Sequence, residues 1–289
     1  RYGSFDQLQE NNDKRINGIL AELQSNTYEK GTIEQKLSDL YKLAMDSTRR
    51  NNEGVAPVMP LIKRLEAAKT NAQLLDIQLE LTPYGEQEFF YAGFGADEKN
   101  ATQNILNVYQ DGLSLGLKEY YLDNDKATAD IREAFKKHII KMFQLFGFSK
   151  GAAAKKMKNI MKVETELAKV SKSRTELRDP EANYNKMTLK EFKEKYPNLP
   201  LEKVMKASGV DVKYIQEMVV GQPAFLEGAN KLVGAITPAE YRDVMEWGVI
   251  SGAANYLSDA VVAESFDFRG RVMSGRKENH PLWKRSTSQ

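Results

Sequence analysis

Histidine and cysteine build most protein-derived hydrolytic and metal sites, and this chain is poor in both. It contains two histidines and no cysteine. His138 and His280 lie far apart in the sequence, so the chain has no His-Glu-x-x-His zinc motif. A Ser-His-Asp or Cys-His nucleophilic site is disfavoured for the same reason. The residue types therefore predict no complete catalytic site and no metal site within this chain.

The surroundings of each histidine predict a structural role. His138 falls on an apolar helical stripe, where a hydrogen-bonded core histidine is expected more often than a metal ligand. His280 stands beside Pro281 in a polar segment, which predicts a solvated side chain. Carboxylates are plentiful, but a sequence cannot show which of them lie together.

Phosphate-binding loops and basic surfaces are also weakly represented. Gly93-x-Gly95 lacks the third glycine and the following helix of a dinucleotide-binding loop, and residues 147–150 lack Walker spacing. The formal net charge is +2. No bulk electrostatic argument therefore favours nucleic acid or an anionic membrane as a partner.

The longest helical pattern in the chain leads into its most distinctive turn, between Ser149 and Glu191. Apolar residues recur there at three- and four-residue steps, which predicts an amphipathic helix. Pro180 ends that helix, because the residue before a proline is pushed out of helical geometry. Thr188, with a glutamate three positions later, forms a capping box that opens the next helix. The polar face of the long helix carries lysines that we interpret as solvated: Lys155, Lys156 and Lys158.

Helical patterns account for most of the remaining chain. The segment Thr237-Pro238-Ala239-Glu240 is the clearest start signal, since it combines an N-cap, a proline in the first turn and a reciprocal glutamate. Ser4 is the expected N-cap of the first helix, and the polar run 46–54 is interpreted as the end of the second. The predicted helices cover about residues 4–25, 33–45, 61–68, 72–81, 126–146, 201–208, 223–233, 238–257 and 259–273.

One segment has the composition of a β-hairpin. Aromatic and β-branched residues lie on either side of the run from Gly95 to Asn100, whose length exceeds the two-residue ideal for a hairpin loop. No apolar run reaches the roughly eighteen residues of a transmembrane helix, so we predict no transmembrane segment. The predicted fold class is mainly α, a multi-helix lobe with one β-hairpin.

The start of the chain is unusual. It begins with Arg1 rather than methionine, and a helical pattern follows almost at once. We expect either that a signal segment and more have been removed or that this is a piece of a longer chain.

Several short motifs follow one another along the chain: Arg1-Tyr2-Gly3-Ser4-Phe5-Asp6, Gly112-Leu113-Ser114-Leu115 with Tyr120-Tyr121-Leu122, Arg178-x-Pro180 with Tyr184-Asn185-Lys186-Met187-Thr188, and Trp283-Lys284-Arg285. Together they resemble the neprilysin and endothelin-converting-enzyme family of zinc metalloendopeptidases, in the same order. Each motif alone is modest, whereas four in order are fairly specific. Asp97-Glu98-Lys99-Asn100 in the hairpin loop resembles a further motif of that family.

The resemblance implies a two-lobed ectoenzyme, in which a thermolysin-like lobe holds zinc and a mainly helical lobe closes over it around a cavity that admits peptides. Residues 1–289 correspond to the N-terminal region, mostly the helical lid. We expect residues 1–25 and the hairpin and loop at 88–122 to pack on the zinc lobe. The zinc ligands and the catalytic glutamate belong to the half that would follow Gln289. The chain is therefore expected to be incomplete without that half and inactive alone.

The resemblance also implies the partners and the compartment. The substrates would be oligopeptides, the zinc cofactor would be bound by the missing half, and the macromolecular partner would be that C-terminal catalytic half of the same protein. A bacterial enzyme exported to the periplasm or the cell surface is implied.

Substrate-binding roles carry over from the first motif. In the family this segment lies beside the primed subsites, so Arg1 would meet the C-terminal carboxylate of the substrate, and a guanidinium can do so with two parallel hydrogen bonds. Phe5 would line the first primed pocket, and Asp6 would hold the arginine in place. Gln9 stands where the mammalian enzyme has a second arginine, so longer peptides are also expected as substrates. The alternative is that Arg1 is a frayed terminal residue and Phe5 the first core residue of its helix.

A different function class remains open at this point. A non-enzymatic helical module could use an apolar groove to hold peptides or a partner protein. The coding sequence beyond Gln289 separates the two, because a zinc motif there favours the peptidase and a stop codon favours the binding module.

Overall fold

The computed structural model describes residues 3–85 and 89–287. These residues are mainly helical, as the sequence predicted. In chain order the helices are α1 (Ser4–Gln24), α2 (Ile33–Met45), α3 (Ser47–Glu53), α4 (Met59–Ala67), α5 (Asn71–Leu81), α6 (Glu119–Leu122), α7 (Lys126–Leu145), α8 (Lys150–Val170), α9 (Leu189–Lys195), α10 (Leu201–Ala207), α11 (Pro223–Ala235), α12 (Pro238–Ala253), α13 (Asp259–Phe266) and α14 (Leu282–Thr287).

The described strands form one four-stranded sheet in the order β1-β2-β4-β3. The antiparallel β1–β2 pair is the predicted hairpin, while β4 lies parallel to β2 and antiparallel to β3. The hairpin is thus confirmed and forms one half of a larger sheet. The other two strands have four residues each, and their pairing depends on partners distant in sequence rather than on local propensity. The strands are β1 (Tyr91–Asp97), β2 (Asn100–Tyr109), β3 (Asn185–Thr188) and β4 (Glu217–Val220).

The expectation of a long hairpin loop was wrong. Asp97 pairs with Asn100 across the hairpin, so the turn consists of Glu98 and Lys99. Gly95 and Ala96, which have turn composition, continue β1. The Asp97 carboxylate anchors the short turn that follows them. Its Oδ1 accepts hydrogen bonds from the Lys99 N–H at 3.0 Å and from the Tyr184 hydroxyl at 2.7 Å.

The predicted capping signals are largely confirmed. Thr188 Oγ1 accepts from the Glu191 N–H at 3.2 Å, and the Glu191 carboxylate accepts in return from the Thr188 N–H at 2.7 Å. The same reciprocal pair joins Thr237 and Glu240 at the start of α12. For α1 the cap is Gly3 rather than Ser4.

The polar run after α2 contains a helix that was not predicted. Asp46 caps α3 by accepting from the Arg49 N–H at 2.9 Å. On the next turn Arg50 and Asn51 donate to the Asp259 carboxylate of α13 at 3.2 and 2.8 Å. The polar residues of α3 are therefore partly satisfied by a distant element, and no apolar periodicity was needed to form the helix.

The interpretation of a fully solvated lysine face on α8 was wrong at one position. Lys155 and Lys158 are exposed, but Lys156 is only 7% exposed. It occupies the same helix face as Ala153 and Ile160, which are both fully buried. A charged residue on a buried stripe must find counter-ions, and Lys156 finds them on two other helices.

The chain divides into two compact units. Unit 1 is formed by residues of 1–57 and 253–289 and contains α1–α3, α13 and α14. Unit 2 is formed by residues 58–252 and contains the sheet and the remaining helices. Unit 2 holds the largest fully buried side chains, among them Phe135, Phe143, Phe192, Tyr196 and Phe225. None of the described helices is long and apolar enough to cross a membrane.

Candidate functional site

The three residues predicted to bind substrate lie at the start of unit 1. Arg1 falls outside the described residues. Phe5 is 86% exposed on α1, which contradicts the alternative that it is a core residue of this chain. Asp6 Oδ2 accepts a hydrogen bond from the Gly3 N–H at 2.7 Å. The carboxylate that was predicted to hold Arg1 therefore fixes the first turn of α1.

The apolar stripes of α1 and α2 are largely uncovered. Ile19 and Leu40 are 59% and 64% exposed, respectively. Together with residues of α3, α14 and the segment 255–257, the two helices line a groove of about 820 Å³, which we call the unit 1 groove. An exposed apolar surface of this kind usually marks an interaction site. Its apolar lining includes Ile16, Ile19, Leu20, Leu37, Leu40, Leu43, Leu257 and Leu282.

A buried carboxylate holds the helices of the unit 1 groove together. Asp13, 9% exposed, forms an ion pair with Lys284 of α14, whose Nζ lies 2.9 Å from Oδ2, while Oδ1 accepts from Gln9 Nε2 at 2.8 Å. The contact with Lys284, followed by the hydrogen bond from Gln9, lowers the pKa of Asp13 below its usual value. Tyr41 of α2 donates to Asn17 Oδ1 of α1 at 2.6 Å. The first and last family motifs therefore both belong to unit 1, where α1 and α14 are joined through Asp13.

One end of the unit 1 groove is charged, with Arg49, Arg50 and Arg285 lying beside Asp46 and Glu53. Arg50 donates to the Ala44 carbonyl at 3.2 Å and to Asp259, while its Nε is buried without a hydrogen-bond partner. Burial, and then the nearby Arg50 guanidinium, lowers the pKa of Arg285. Arg49 at the same end is paired with Glu53 at 2.7 Å. The groove thus has an apolar floor and a guanidinium-rich end.

In unit 2, two further motifs meet at the hairpin tip. Asp97 lies in the first and accepts from Tyr184 of the second, and Lys186 Nζ lies 3.4 Å from Asp97 Oδ2. Lys99 reaches Glu181 at 2.7 Å and also lies over the Tyr184 ring. These motif residues brace the hairpin against the chain that enters β3.

A buried hydrogen-bond network fixes the loop that follows β2. Glu164 of α8, 2% exposed, accepts from the Ser114 hydroxyl at 2.6 Å and from the Tyr121 hydroxyl. Trp247 Nε1 of α12 donates to Ser114 Oγ at 2.9 Å, and the Leu115 N–H donates to the Tyr121 oxygen at 3.0 Å. The motif residues of the loop are therefore held by one carboxylate that sequence reasoning did not single out.

Replacing Glu164 with alanine is expected to destabilise unit 2 by about 2–4 kcal/mol, because two buried hydroxyls lose their acceptor. Chemical denaturation of wild type and variant measures the difference. The matched control is Glu166→Ala on the exposed face of α8, which should change stability by less than about 0.5 kcal/mol. Equal effects of the two substitutions would contradict the assigned anchoring role.

The histidines occupy the predicted environments. His138 is 4% exposed and contacts the Trp247 ring edge-on at 5.5 Å. His280 is exposed. Among the residues from 3 to 85 and from 89 to 287, no group of three or more histidine, cysteine, aspartate or glutamate side chains could hold a metal ion. The described residues therefore do not fit a zinc ion.

Three structural features of the candidate site could not be predicted from the sequence. The unit 1 groove was missed because an apolar stripe predicts a buried face without showing what buries it. The Asp13–Lys284 pair and the Glu164 network join residues that are distant in sequence, and no local spacing signals them.

Comparison with known proteins identifies the family to which this chain is similar. The sequence model described as peptidase family M13 matches residues 1–289. Human endothelin-converting enzyme 1 is 25% identical over 294 residues, which cover 98% of this chain and 38% of the relative. Mouse neprilysin is 22% identical, with 99% of this chain and 41% of the relative covered. The chain thus spans about two fifths of the length of these relatives.

Solved structures show the same fold. The zinc metalloprotease Zmp1 of Mycobacterium tuberculosis, in complex with an inhibitor, matches with a TM-score of 0.92 and 25% identity. That match covers 99% of this chain and 44% of the Zmp1 chain. PepO from Lactobacillus rhamnosis matches with a TM-score of 0.79 at 21% identity, a likeness of fold alone.

Proposed function

Since this chain belongs to peptidase family M13, as its motifs indicated, we propose that it is the N-terminal lid and substrate-gating part of a zinc-dependent endopeptidase that hydrolyses oligopeptides. The observation that carries the proposal is the family match over the whole chain, combined with relatives that are more than twice as long. We place the zinc ligands and the catalytic glutamate in sequence that follows Gln289. We also infer a periplasmic or cell-surface location, which fractionation of the native cells would test.

The unit 1 groove is the surface on which this catalytic half would dock. Two properties support this assignment. The groove is apolar and open, so a partner would remove Ile19, Leu40 and their neighbours from water. Its wall includes α14, the last described helix, so a following chain would start beside it. From the segment 1–25, Ile16, Ile19 and Leu20 line this groove, which supports the proposed packing of that segment on the zinc lobe.

The hairpin and loop at 88–122 are the second proposed contact with the catalytic half. Tyr91 and Phe94 on β1 are 44% and 46% exposed, so the hairpin offers apolar surface. Braced by Asp97 at its tip and by Glu164 below its loop, the segment would keep its shape in both a free and a docked state.

Arg1, Phe5 and Asp6 would form the part of the substrate site that this chain contributes. Phe5 is available for a pocket because it is exposed on α1. The Asp6 carboxylate caps α1 and would keep the preceding residues, and thus the Arg1 guanidinium, near the same helix end. Arg1 would pair with the carboxylate of a peptide C-terminus through two hydrogen bonds.

The function is tested by comparing the complete protein with residues 1–289. The complete protein should hydrolyse an internally quenched oligopeptide, lose activity when zinc is chelated and regain it when zinc is added. Residues 1–289 alone should show no hydrolysis. Cleavage by the metal-stripped residues 1–289 would refute the proposal. A coding sequence that stops after Gln289 would favour a helical peptide- or protein-binding module that uses the same groove.

The role of Arg1 has its own expected result. Arg1→Ala in the complete protein should lower kcat/KM about 10- to 100-fold for peptides with a free C-terminal carboxylate. The reason is that the substitution removes a pair of charge-assisted hydrogen bonds to that carboxylate. Amidated peptides should be cleaved as before. Arg15→Ala, at an exposed position of α1, is the control and should change neither. Unchanged cleavage of the free-carboxylate peptides by Arg1→Ala would show that the residue does not bind them.

A further inference from the structure

A charged cluster lies where three helices of unit 2 meet. Lys156 of α8 donates to Glu66 Oε1 of α4 at 2.6 Å, and to Asp243 Oδ1 and Glu246 Oε2 of α12 at 3.0 and 2.7 Å. Arg242 Nε lies 3.7 Å from Glu66 Oε1 and 3.8 Å from Asp243 Oδ1. Three carboxyl groups therefore share two cations, and the cluster carries one negative charge too many if all of them are ionised.

Burial makes the excess charge costly. Glu246 is 0% exposed and Asp243 is 2% exposed, whereas Glu66 lies at the edge with a half-buried side chain. Near α7 the Lys156 ammonium is bordered by the rings of Phe143 and Phe148, at 5.7 and 4.8 Å. A buried charge without a counter-charge costs several kcal/mol. The cluster is therefore most stable when it is neutral.

The geometry of Glu246 shows where a proton would restore neutrality. Its Oε2 accepts from Lys156, but its Oε1 is buried without a hydrogen-bond partner. Glu66 Oε1 accepts from the same Lys156 Nζ at 2.6 Å, so the carboxyl groups of Glu66 and Glu246 are neighbours around one ammonium group. Two ionised carboxylates in contact repel and neither can donate. A proton on Glu246 turns this repulsion into a hydrogen bond to Glu66 and leaves two carboxylates for two cations.

We propose that Glu246 holds a proton shared with Glu66, and that this proton acts as a pH-sensitive lock between α4, α8 and α12. Loss of the proton leaves three carboxylates against two cations in a largely buried junction, and the three helices loosen. The charged groups that face Glu246 are Glu66 from α4, Lys156 from α8, and Arg242 and Asp243 from its own helix. The lock is independent of the proposed peptidase function.

The direction of the pH dependence follows from the folded and unfolded states. Burial, and then the contact with Glu66, raises the pKa of Glu246 to about 8, while Lys156 opposes the shift. The ordinary value is 4.5. Since the folded pKa is the higher one, the stabilisation is complete below pH 4.5 and is lost progressively as the pH rises to about 8. One proton changes the opening equilibrium by at most about tenfold per pH unit.

Hydrogen exchange of the complete protein between pH 5.5 and 8.5 tests the lock, once the pH dependence of intrinsic exchange is corrected. Peptides from α4, α8 and α12 should open more readily as the pH rises, by up to about tenfold per unit. Glu246→Gln supplies a neutral group that can donate to Glu66. It should flatten this profile and protect the three helices better than wild type at pH 8.5.

The matched control is Glu227→Gln on α11, an exposed glutamate paired with Lys231 at 3.0 Å. It should keep the wild-type profile. A flat wild-type profile, or a Glu246→Gln profile with the wild-type slope, overturns the proposal. Should Glu246→Gln not fold, infrared spectra of the wild type decide the matter. The band of a protonated carboxyl group is expected at pH 6 and should vanish at pH 9, and a spectrum without that band at pH 6 overturns the lock.

Discussion

Lys156→Ala is expected to destabilise unit 2 by about 3–5 kcal/mol, the usual cost of removing one partner from a buried ion cluster. The substitution leaves Asp243 and Glu246 buried at 2% and 0% exposure without the ammonium that both contact. It also removes methylene groups from the junction of α4, α8 and α12. Chemical denaturation followed by far-UV circular dichroism measures the loss.

Lys155→Ala is the matched control for this prediction. It removes the same side chain from the neighbouring position, which is exposed, and should change the free energy of unfolding by less than about 0.5 kcal/mol. A Lys156→Ala variant as stable as Lys155→Ala would show that the cluster does not hold the three helices together.

Leu40→Asp is expected to lower the peptidase activity of the complete protein by at least about tenfold, if the unit 1 groove receives the catalytic half. An aspartate at the centre of an apolar interface must be desolvated without a partner, at a cost of several kcal/mol. In residues 1–289 alone the same substitution should be nearly neutral, because Leu40 is 64% exposed there. Peptide hydrolysis and chemical denaturation, measured side by side, separate the two effects.

Lys42→Asp controls for the added negative charge. Lys42 is exposed on the same helix and does not line the groove, so its substitution should leave activity and stability close to wild type. Full activity of Leu40→Asp would place the docking surface elsewhere. A loss of stability in residues 1–289 would instead show that Leu40 supports unit 1 itself.

Helix starts were well predicted where a threonine and a glutamate cap each other. The predicted stop at Pro180 was wrong, because α8 already ends at Val170. Thr188 and Thr237 each start a helix through a reciprocal glutamate three residues later, a contact that four consecutive residues determine. Local structure was predicted wrongly where residues distant in the sequence supply the stabilising contacts. The α3 helix depends on Asp259 of α13, and the two-residue hairpin turn depends on Tyr184, neither of which is local.

Lys156 illustrates a signal that was present but misjudged. Its spacing from Ala153 and Ile160 places it on the buried face of α8, yet its charge suggested solvent. Periodicity predicted the burial of Lys156 better than its charge did, because helix geometry fixes which residues share a face. Whether a lysine can be buried depends on counter-ions that other elements supply. Glu66 and Asp243, which supply them, lie on helices far away in the sequence.

The sequence by itself determined the mainly helical fold class, the family and the absence of a zinc motif, because these depend on residue type, order and short-range spacing. Tertiary structure alone decided which surfaces stay open and which charges meet. Phe5 and Leu40 look like core residues in a helical pattern and prove to be exposed. Burial and electrostatic pairing are properties of distant contacts, so no local pattern could show the unit 1 groove or the proton-binding cluster.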